Sequence, residues 1–292
     1  VLRSIKHIIA CGREAGIMVG MCGEAASDPM MIPLLLAFGL NEFSMSASAI
    51  LKARKMVTQY SVEELQAVAD KAMSFATAAE TETISYDVLT QVRVGYMPNY
   101  ESLWEVATAI NKGYFEEQGL DIKLSSFQVD EAGIGVMASG SVDVAYIGAD
   151  VHKRCIEGAA QIFCSSLKVS GETVDCQGWG CLPGYVEANK DILVRFTKAL
   201  YKAMDYGSQE ANYDEVAGYV ADICGADKAT ELEQAKEGNW IDSKTLLQYL
   251  GDGTLKKYYE SQQKNFIDAG DVDKKVPIED YVLFDVMEEA GK

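Results

Sequence analysis

The chain has 292 residues, of which 48% are hydrophobic and 24% are charged, and its formal net charge is −18. This length is enough for one or two globular domains. Both the first 90 residues and the remainder are acidic, which argues against a nucleic acid or an anionic membrane surface as a partner. His7 and His152 are the only histidines, which argues against a Ser-His-Asp triad and against a histidine-based metal site.

Helix and strand patterns alternate through residues 1–76. Two strands that are joined through a helix in this order should be parallel. Asp28 before Pro29 predicts the start of the second helix, and Ser61 with Glu64 forms a capping box at the start of the fourth. The predicted elements are helices over 1–15, 28–39, 46–59 and 61–76, and strands over 17–22 and 42–46.

The next stretch is rich in Thr and Glu and predicts a linker over 81–91. A second β-α-β-α-β pattern follows, for which we expect a parallel sheet, and from about residue 189 the sequence is almost wholly helical. The expected elements are strands over 92–98, 121–127, 142–148 and 161–169, and helices over 103–119, 131–140 and 152–159.

The seven cysteines show no zinc-site spacing, and unpaired cysteines suit a reducing compartment. Cys176 and Cys181, in CQGWGC, could close a small disulfide loop under oxidising conditions or remain free thiols. The longest apolar stretch, PMMIPLLLAFGL, is too short to span a bilayer. No segment resembles a signal peptide, so we expect a cytoplasmic protein without a transmembrane segment.

The stretch VGMCGEAASDP places Cys22 between Gly20 and Gly23, at the carboxyl end of a predicted parallel strand. Loops at that end of a sheet build the active sites of α/β proteins, so the thiol could serve as a proton donor or a nucleophile. The alternative is an inert, buried cysteine, which is common in proteins.

VLRSIKHII, VGMCGEAASDP and IPLLLAFGLNEFSMSASAIL resemble the C-terminal end of the PEP-utilising TIM barrel of enzyme I, the phosphoenolpyruvate-protein phosphotransferase of the phosphotransferase system. The resemblance covers about residues 1–80. It implies that Cys22 matches the family's proton donor to the enolate. Only the last two of eight βα units are present, and the family's phosphohistidine, magnesium ligands and phosphate-clamping arginines lie upstream. We therefore expect an inactive Cys22 and no cofactor, since magnesium belongs to an intact enzyme I.

VRVGYMPNYESLWEVATAINKGYFEEQGLDIKL and MASGSVDVAYIGAD resemble the solute-binding proteins of ABC importers, in the nitrate, sulfonate and taurine group that includes thiamine-precursor binders. The resemblance implies an α/β lobe of the periplasmic-binding-protein type with a helical C-terminal region. It further implies a cleft for a small-molecule ligand, an ABC permease as a partner, and relatives that are exported or lipid-anchored.

Loops after the first and third strands of this lobe are the expected ligand contacts. The aromatic residues among them have ordinary packing as an alternative role, and the acidic ones could be solvated helix caps. The acidic residues favour a cationic or zwitterionic ligand over a bare dianion. The candidate residues are Asn99, Tyr100, Glu101, Trp104, Gly148, Ala149 and Asp150.

Solute-binding proteins have two lobes, but here about 25 residues separate the fourth strand from the helical region, too few for a lobe. We thus interpret 1–80 as a barrel fragment, 81–91 as a linker and 92–292 as a truncated solute-binding domain. The favoured function is solute binding, with no enzyme activity. The alternatives are an enzyme I relative that uses Cys22 and a non-functional fusion of two truncated genes. Exposed strand edges and an apolar face of the half-barrel predict one of two outcomes: this face docks on the second half, or the protein self-associates.

Overall fold

The computed structural model describes residues 1–60, 62–75, 89–129, 132–171 and 173–292. The chain divides into two compact units, residues 1–90 and residues 91–292. Most of the linker predicted over 81–91, and Ser61 of the predicted capping box, lie outside the described residues.

In the described residues of the first unit before residue 76, helices alternate with two short strands. Strands β1 and β2 pair in parallel, with Cys22 opposite Ser44, as their order along the chain predicts. Helix α2 begins at Met31 and not at Pro29, because Asp28 Oδ1 accepts a hydrogen bond from Met30 N at 2.7 Å and forms a turn before the helix. The elements are α1 (Leu2–Glu14), β1 (Gly20–Cys22), α2 (Met31–Phe38), β2 (Glu42–Ser44), α3 (Ala47–Gln59) and α4 (Val62–Ser74).

Helix α2 is the centre of this unit's core. It is apolar on nearly every side because it packs against α1, α3 and α4. Leu35 of this helix, Ile9 of α1 and Leu65 of α4 are almost fully buried. In contrast, Met18 is 71% exposed and Leu51 is 77% exposed, so the unit also shows apolar side chains to solvent.

The second unit is larger and mixes a sheet with many helices. Its elements are β3 (Thr90–Tyr96), α5 (Tyr100–Asn111), α6 (Tyr114–Glu117), β4 (Leu120–Ser126), α7 (Ala132–Ala138), β5 (Val144–Ile147), α8 (His152–Ile156), β6 (Gln161–Ser170), β7 (Thr173–Cys181), α9 (Pro183–Gly207), α10 (Tyr213–Cys224), α11 (Lys228–Ala235), β8 (Asn239–Trp240), α12 (Ser243–Gly251), α13 (Thr254–Ala269) and α14 (Phe284–Ala290). The run from α9 onwards confirms the predicted helical C-terminal region.

The sheet of the second unit is mixed, so the prediction of a parallel sheet is wrong beyond its first strands. Among the described residues the strand order is β4-β3-β5-β7-β6-β8. Strands β3 and β5 are parallel, whereas β7 is antiparallel to both β5 and β6, and β8 is antiparallel to β6. The prediction failed because β7 was not foreseen: its residues were expected to connect the fourth predicted strand to the helical region. Ser170 pairs with Thr173, so only two residues separate β6 from β7, and strands joined by so short a connection must run antiparallel.

The seven cysteines all lie in described parts of the chain, and all are free thiols. Cys176 and Cys181 are both buried in β7. Five residues of extended strand separate two Cα atoms by ~17 Å, far beyond the reach of a disulfide. The proposed CQGWGC disulfide loop is therefore excluded in this fold.

Among the helices of the described residues, we find none with the length and apolar character that crossing a membrane requires.

Candidate functional site

Two loops that follow the neighbouring parallel strands β3 and β5 border one cavity. Asn99 begins the first loop's helix, because its Oδ1 accepts a hydrogen bond from Ser102 N at 2.9 Å and caps α5. The second loop continues from β5 through Gly148 into a short 3-10 turn over Ala149–Val151. Loops at the carboxyl ends of parallel strands are where α/β folds bind ligands.

The cavity between these loops has a volume of ≈ 270 Å³. Five of the candidate residues identified in the sequence line it, with Met97, Tyr146 and two residues of β7 completing the wall. The candidates that the structure brings together here are Asn99, Glu101, Gly148, Ala149 and Asp150.

Tyr100 and Trp104 do not line the cavity. Tyr100 is 0% exposed and Trp104 is 1% exposed, and both rings pack against Trp240 of β8, with centroid separations of 5.5 and 5.4 Å. Positions 100 and 104 are one helical turn apart and therefore share the buried face of α5. For these two aromatic residues the structure shows ordinary core packing, the alternative that the sequence left open.

Asp175 and Gln177 of β7 line the same cavity and were missed in the sequence. They are two residues apart on one strand, so their side chains point to the same face. The sequence does contain a signal for this strand, because polar and apolar residues alternate in TVDCQGWGC. Gly178 and Gly180 obscure that alternation. Gln177 is 1% exposed, and its Nε2 atom has no hydrogen-bond partner among the described residues.

The cavity carries an excess of negative charge. Glu101 is compensated by Lys168, whose Nζ lies 3.4 Å from Glu101 Oε2 and 5.6 Å from the centroid of the Trp240 ring. Asp150 and Asp175 are exposed, and neither takes part in an ion pair found within the described ranges. Two uncompensated carboxylates favour a ligand with a positive charge.

A buried carboxyl group, that of Glu105, lies one turn further along α5 than Glu101. Glu105 is 3% exposed, and its Oε2 accepts a hydrogen bond of 2.7 Å from Trp179 Nε1 of β7. Burial raises the pKa of Glu105 to about 7, against the opposing effects of Ser166 and Trp179. This carboxyl is therefore uncharged at mildly acidic pH and joins α5 to the sheet.

A second cavity of ≈ 490 Å³ adjoins the first, and both are lined by Ala149, Asp150 and Asp175. Helix α13 supplies the far wall. Gln262 fastens this helix to the sheet, because its Nε2 donates to Ala149 O at 3.3 Å and to Cys176 O at 3.0 Å. The two cavities adjoin at these shared residues, and together they are called the acidic cleft below.

In the first unit, Cys22 is exposed at the carboxyl end of β1. The next residue, Gly23, has a φ of 92°, a conformation that favours glycine, and its N donates to Ser44 O at 3.1 Å. The thiol is thus accessible beside a sharp turn. The described residues contain no group of three or more His, Cys, Asp or Glu side chains that could hold a metal ion.

Comparison of sequences relates the first unit to a known family. Residues 1–62 match the model of the PEP-binding domain of PEP-utilising enzymes. Over 80 residues the chain is 49% identical to the phosphoenolpyruvate-protein phosphotransferase of Bacillus sp. (strain S) and 48% identical to that of Geobacillus stearothermophilus. These alignments cover 27% of this chain, and the chain spans only 14% of the length of those relatives.

Comparison with solved structures identifies proteins with a similar α/β fold. The Candida albicans CA3427 gene product, described as having the generic periplasmic binding protein structural fold, matches with a TM-score of 0.51 at 11% identity, over 66% of this chain and 96% of that chain. A putative sulfonate-binding protein SsuA from Methylobacillus flagellatus KT gives a TM-score of 0.48 at 10% identity, over 68% and 94% of the two chains. The chain thus joins a segment similar to the PEP-binding domain of PEP-utilising enzymes to an α/β unit with the periplasmic-binding-protein fold.

Proposed function

We propose that residues 91–292 form a solute-binding lobe, which holds a small molecule in the cavity at the carboxyl ends of β3 and β5. The observation that carries the proposal is the convergence of two loops distant in sequence, with Asn99 and Glu101 on one side and Gly148 and Asp150 on the other. Such convergence of polar groups in a concave site is typical of ligand pockets. In this proposal the protein partner would be an ABC permease.

The ligand in this proposal carries a positive charge, alone or as part of a zwitterion. Asp150 and Asp175 are the basis, because Lys168 already compensates the third carboxylate of the cavity, that of Glu101. A simple oxyanion such as nitrate would be repelled here, since like charges at short range raise the free energy of binding.

In the smaller cavity the lobe offers its ligand one wall, built by β7 and by the residues at the ends of β3 and β5. In the two-lobed proteins that the sequence resembles, the second wall comes from another lobe. Here β6 and β7 are joined directly, with Ser170 paired to Thr173. A ligand that keeps much of its surface in water loses affinity, by about a thousandfold or more for the loss of one wall.

Calorimetry on the 292-residue chain tests this function. We expect millimolar or undetectable binding of nitrate, an alkanesulfonate, taurine and a thiamine precursor. Any measurable binding of taurine, the zwitterion of this panel, should be weakened about tenfold by Asp150→Asn, whereas binding of the two anions should not be weakened. Asp214→Asn is the matched control, because Asp214 pairs with Lys228 on the exposed face of α10. A micromolar dissociation constant for nitrate that is insensitive to Asp150→Asn would contradict the proposal.

The accessible thiol of Cys22 and the 49% identity over 80 residues favour a second candidate function, a part in PEP-dependent phosphotransfer. The 292 residues include only 14% of the length of the matched relatives. We therefore expect the purified chain to transfer no phosphate from labelled phosphoenolpyruvate to the family's phosphocarrier protein in the presence of magnesium. Transfer that disappears in Cys22→Ala would favour the second candidate over solute binding.

A further inference from the structure

The acidic cleft has its two free carboxylates at its middle. Asp150 and Asp175 each line both the 270 Å³ cavity and the 490 Å³ cavity, so they mark the junction between the two. A positive charge bound at this junction would have open space on both sides. A compact cation would fill neither cavity, and most of the available contact area would go unused.

In the smaller cavity, one buried group lacks a hydrogen-bond partner among the described residues. Gln177 lines the smaller cavity, is 1% exposed, and has an Nε2 atom with no hydrogen-bond partner among the described residues. A buried amide N–H without an acceptor destabilises the fold, because it has given up its hydrogen bond to water without a replacement. A ligand with a hydrogen-bond acceptor in this cavity would supply the missing partner.

In the larger cavity, α13 presents aromatic surface. Tyr258, Gln262 and Phe266 are four residues apart and therefore lie on one face of the helix, and all three line the larger cavity. Gln262 holds this face in place through its bonds to Ala149 and Cys176 and through a 3.0 Å contact with His152 Nδ1. Tyr258 and Phe266 are only half-buried, so each has ring surface to offer an apolar group.

These three observations define a ligand class. This inference rests on the solute-binding function proposed above. The geometry points to an elongated organic cation with a hydrogen-bond acceptor at one end, a positive charge in the middle and an aromatic ring at the other end. The acceptor meets Gln177, the charge lies between Asp150 and Asp175, and the ring packs against Tyr258 and Phe266, where aromatic pairs gain contact energy.

A matched series of probes tests the inference by calorimetry on the full chain. N-benzylethanolamine carries a hydroxyl acceptor, a central ammonium and a ring. Ethanolamine lacks the ring, benzylamine lacks the hydroxyl, and 2-benzyloxyethanol lacks the charge. We expect N-benzylethanolamine to bind about tenfold or more tightly than each of the other three.

Variants assign each part of the probe to its place in the cleft. We expect Phe266→Ala to weaken N-benzylethanolamine about tenfold without affecting ethanolamine, and Gln177→Met to abolish the preference for N-benzylethanolamine over benzylamine. Asp150→Asn should weaken every cationic probe, and Asp214→Asn none. The comparison of probes on the unmodified chain stands even where a variant fails to fold.

Two results would overturn the inference, and they differ in what they say about the proposed function. Equal binding of ethanolamine and N-benzylethanolamine, weakened by Asp150→Asn but not by Phe266→Ala, would overturn the elongated ligand and leave solute binding at the carboxylates intact. Failure of all four probes to bind at millimolar concentration, or binding unaffected by Asp150→Asn, would overturn both.

Discussion

Replacement of Glu105 by glutamine is expected to raise the free energy of unfolding of the second unit by about 3 kcal/mol at pH 8 and to have little effect at pH 4. The side chain is buried, and burial raises its pKa to about 7. The folded state therefore binds this proton more tightly than the unfolded state does. The stability that Glu105 contributes is present at low pH and is lost as the pH rises through about 7. Glutamine keeps an acceptor for Trp179 Nε1 and never ionises.

The titration of His152 changes the free energy of unfolding in the opposite direction over nearly the same range of pH. It is fully buried, its ring stacks on Tyr259 at a centroid distance of 5.6 Å, and burial lowers its pKa to about 4. Between about pH 4 and 6.5 the unfolded state binds this proton more tightly, so stability falls as the pH falls. In the unmodified protein the effects of Glu105 and His152 offset each other. Of these two effects only that of His152 remains in Glu105→Gln, so the stability of this variant falls as the pH falls.

The measurement is urea unfolding from pH 4 to 8, followed by tryptophan fluorescence. Trp104, Trp179 and Trp240 are the three tryptophans of the chain and all belong to the second unit, so the signal reports that unit alone. Glu157→Gln is the control, because Glu157 is exposed and pairs with Arg154, three residues before it in the chain. Identical pH profiles for Glu105→Gln and the unmodified protein would show that the buried carboxyl does not titrate as described.

Gly178→Ala is expected to lower the free energy of unfolding of the second unit by about 3 kcal/mol. A Cβ atom at this position would lie 2.3 Å from Cys164 O, which belongs to the backbone of β6. Strand β7 is hydrogen-bonded to β5 on one side and to β6 on the other, so it cannot move away from one without losing contacts to the other. The clash must therefore distort the centre of the sheet.

Gly184→Ala provides the matched control for the same chemical change. A Cβ atom there meets nothing within 4 Å, and the residue lies in the first turn of α9. We expect an unchanged or slightly higher stability, because alanine favours helix over glycine by about 1 kcal/mol. Equal stability of Gly178→Ala and Gly184→Ala in urea unfolding would contradict the close approach of β6 and β7.

Features that depend on neighbours in sequence were predictable from the residues alone. Helical spacing of apolar residues located α1 and the helices from α9 onwards, and the α-β-α-β order predicted the parallel pairing of β1 and β2. The motif around Cys22 indicated the relationship of the first unit to PEP-utilising enzymes. The loops containing Asn99 and Asp150 could be identified because each follows a recognisable strand. All of these signals are local, since they rest on propensity, periodicity and motif.

Features that depend on contacts between distant residues required the folded chain. Tyr100 and Trp104 lie beside the predicted cleft in sequence, but Trp240, more than a hundred residues away, holds both in the core. Asp175 and Gln177 reach the cavity only because β7 pairs antiparallel between β5 and β6. Strand order and the choice of buried helix face are set by long-range packing and hydrogen bonding. The sequence of a single strand or helix carries no record of those partners.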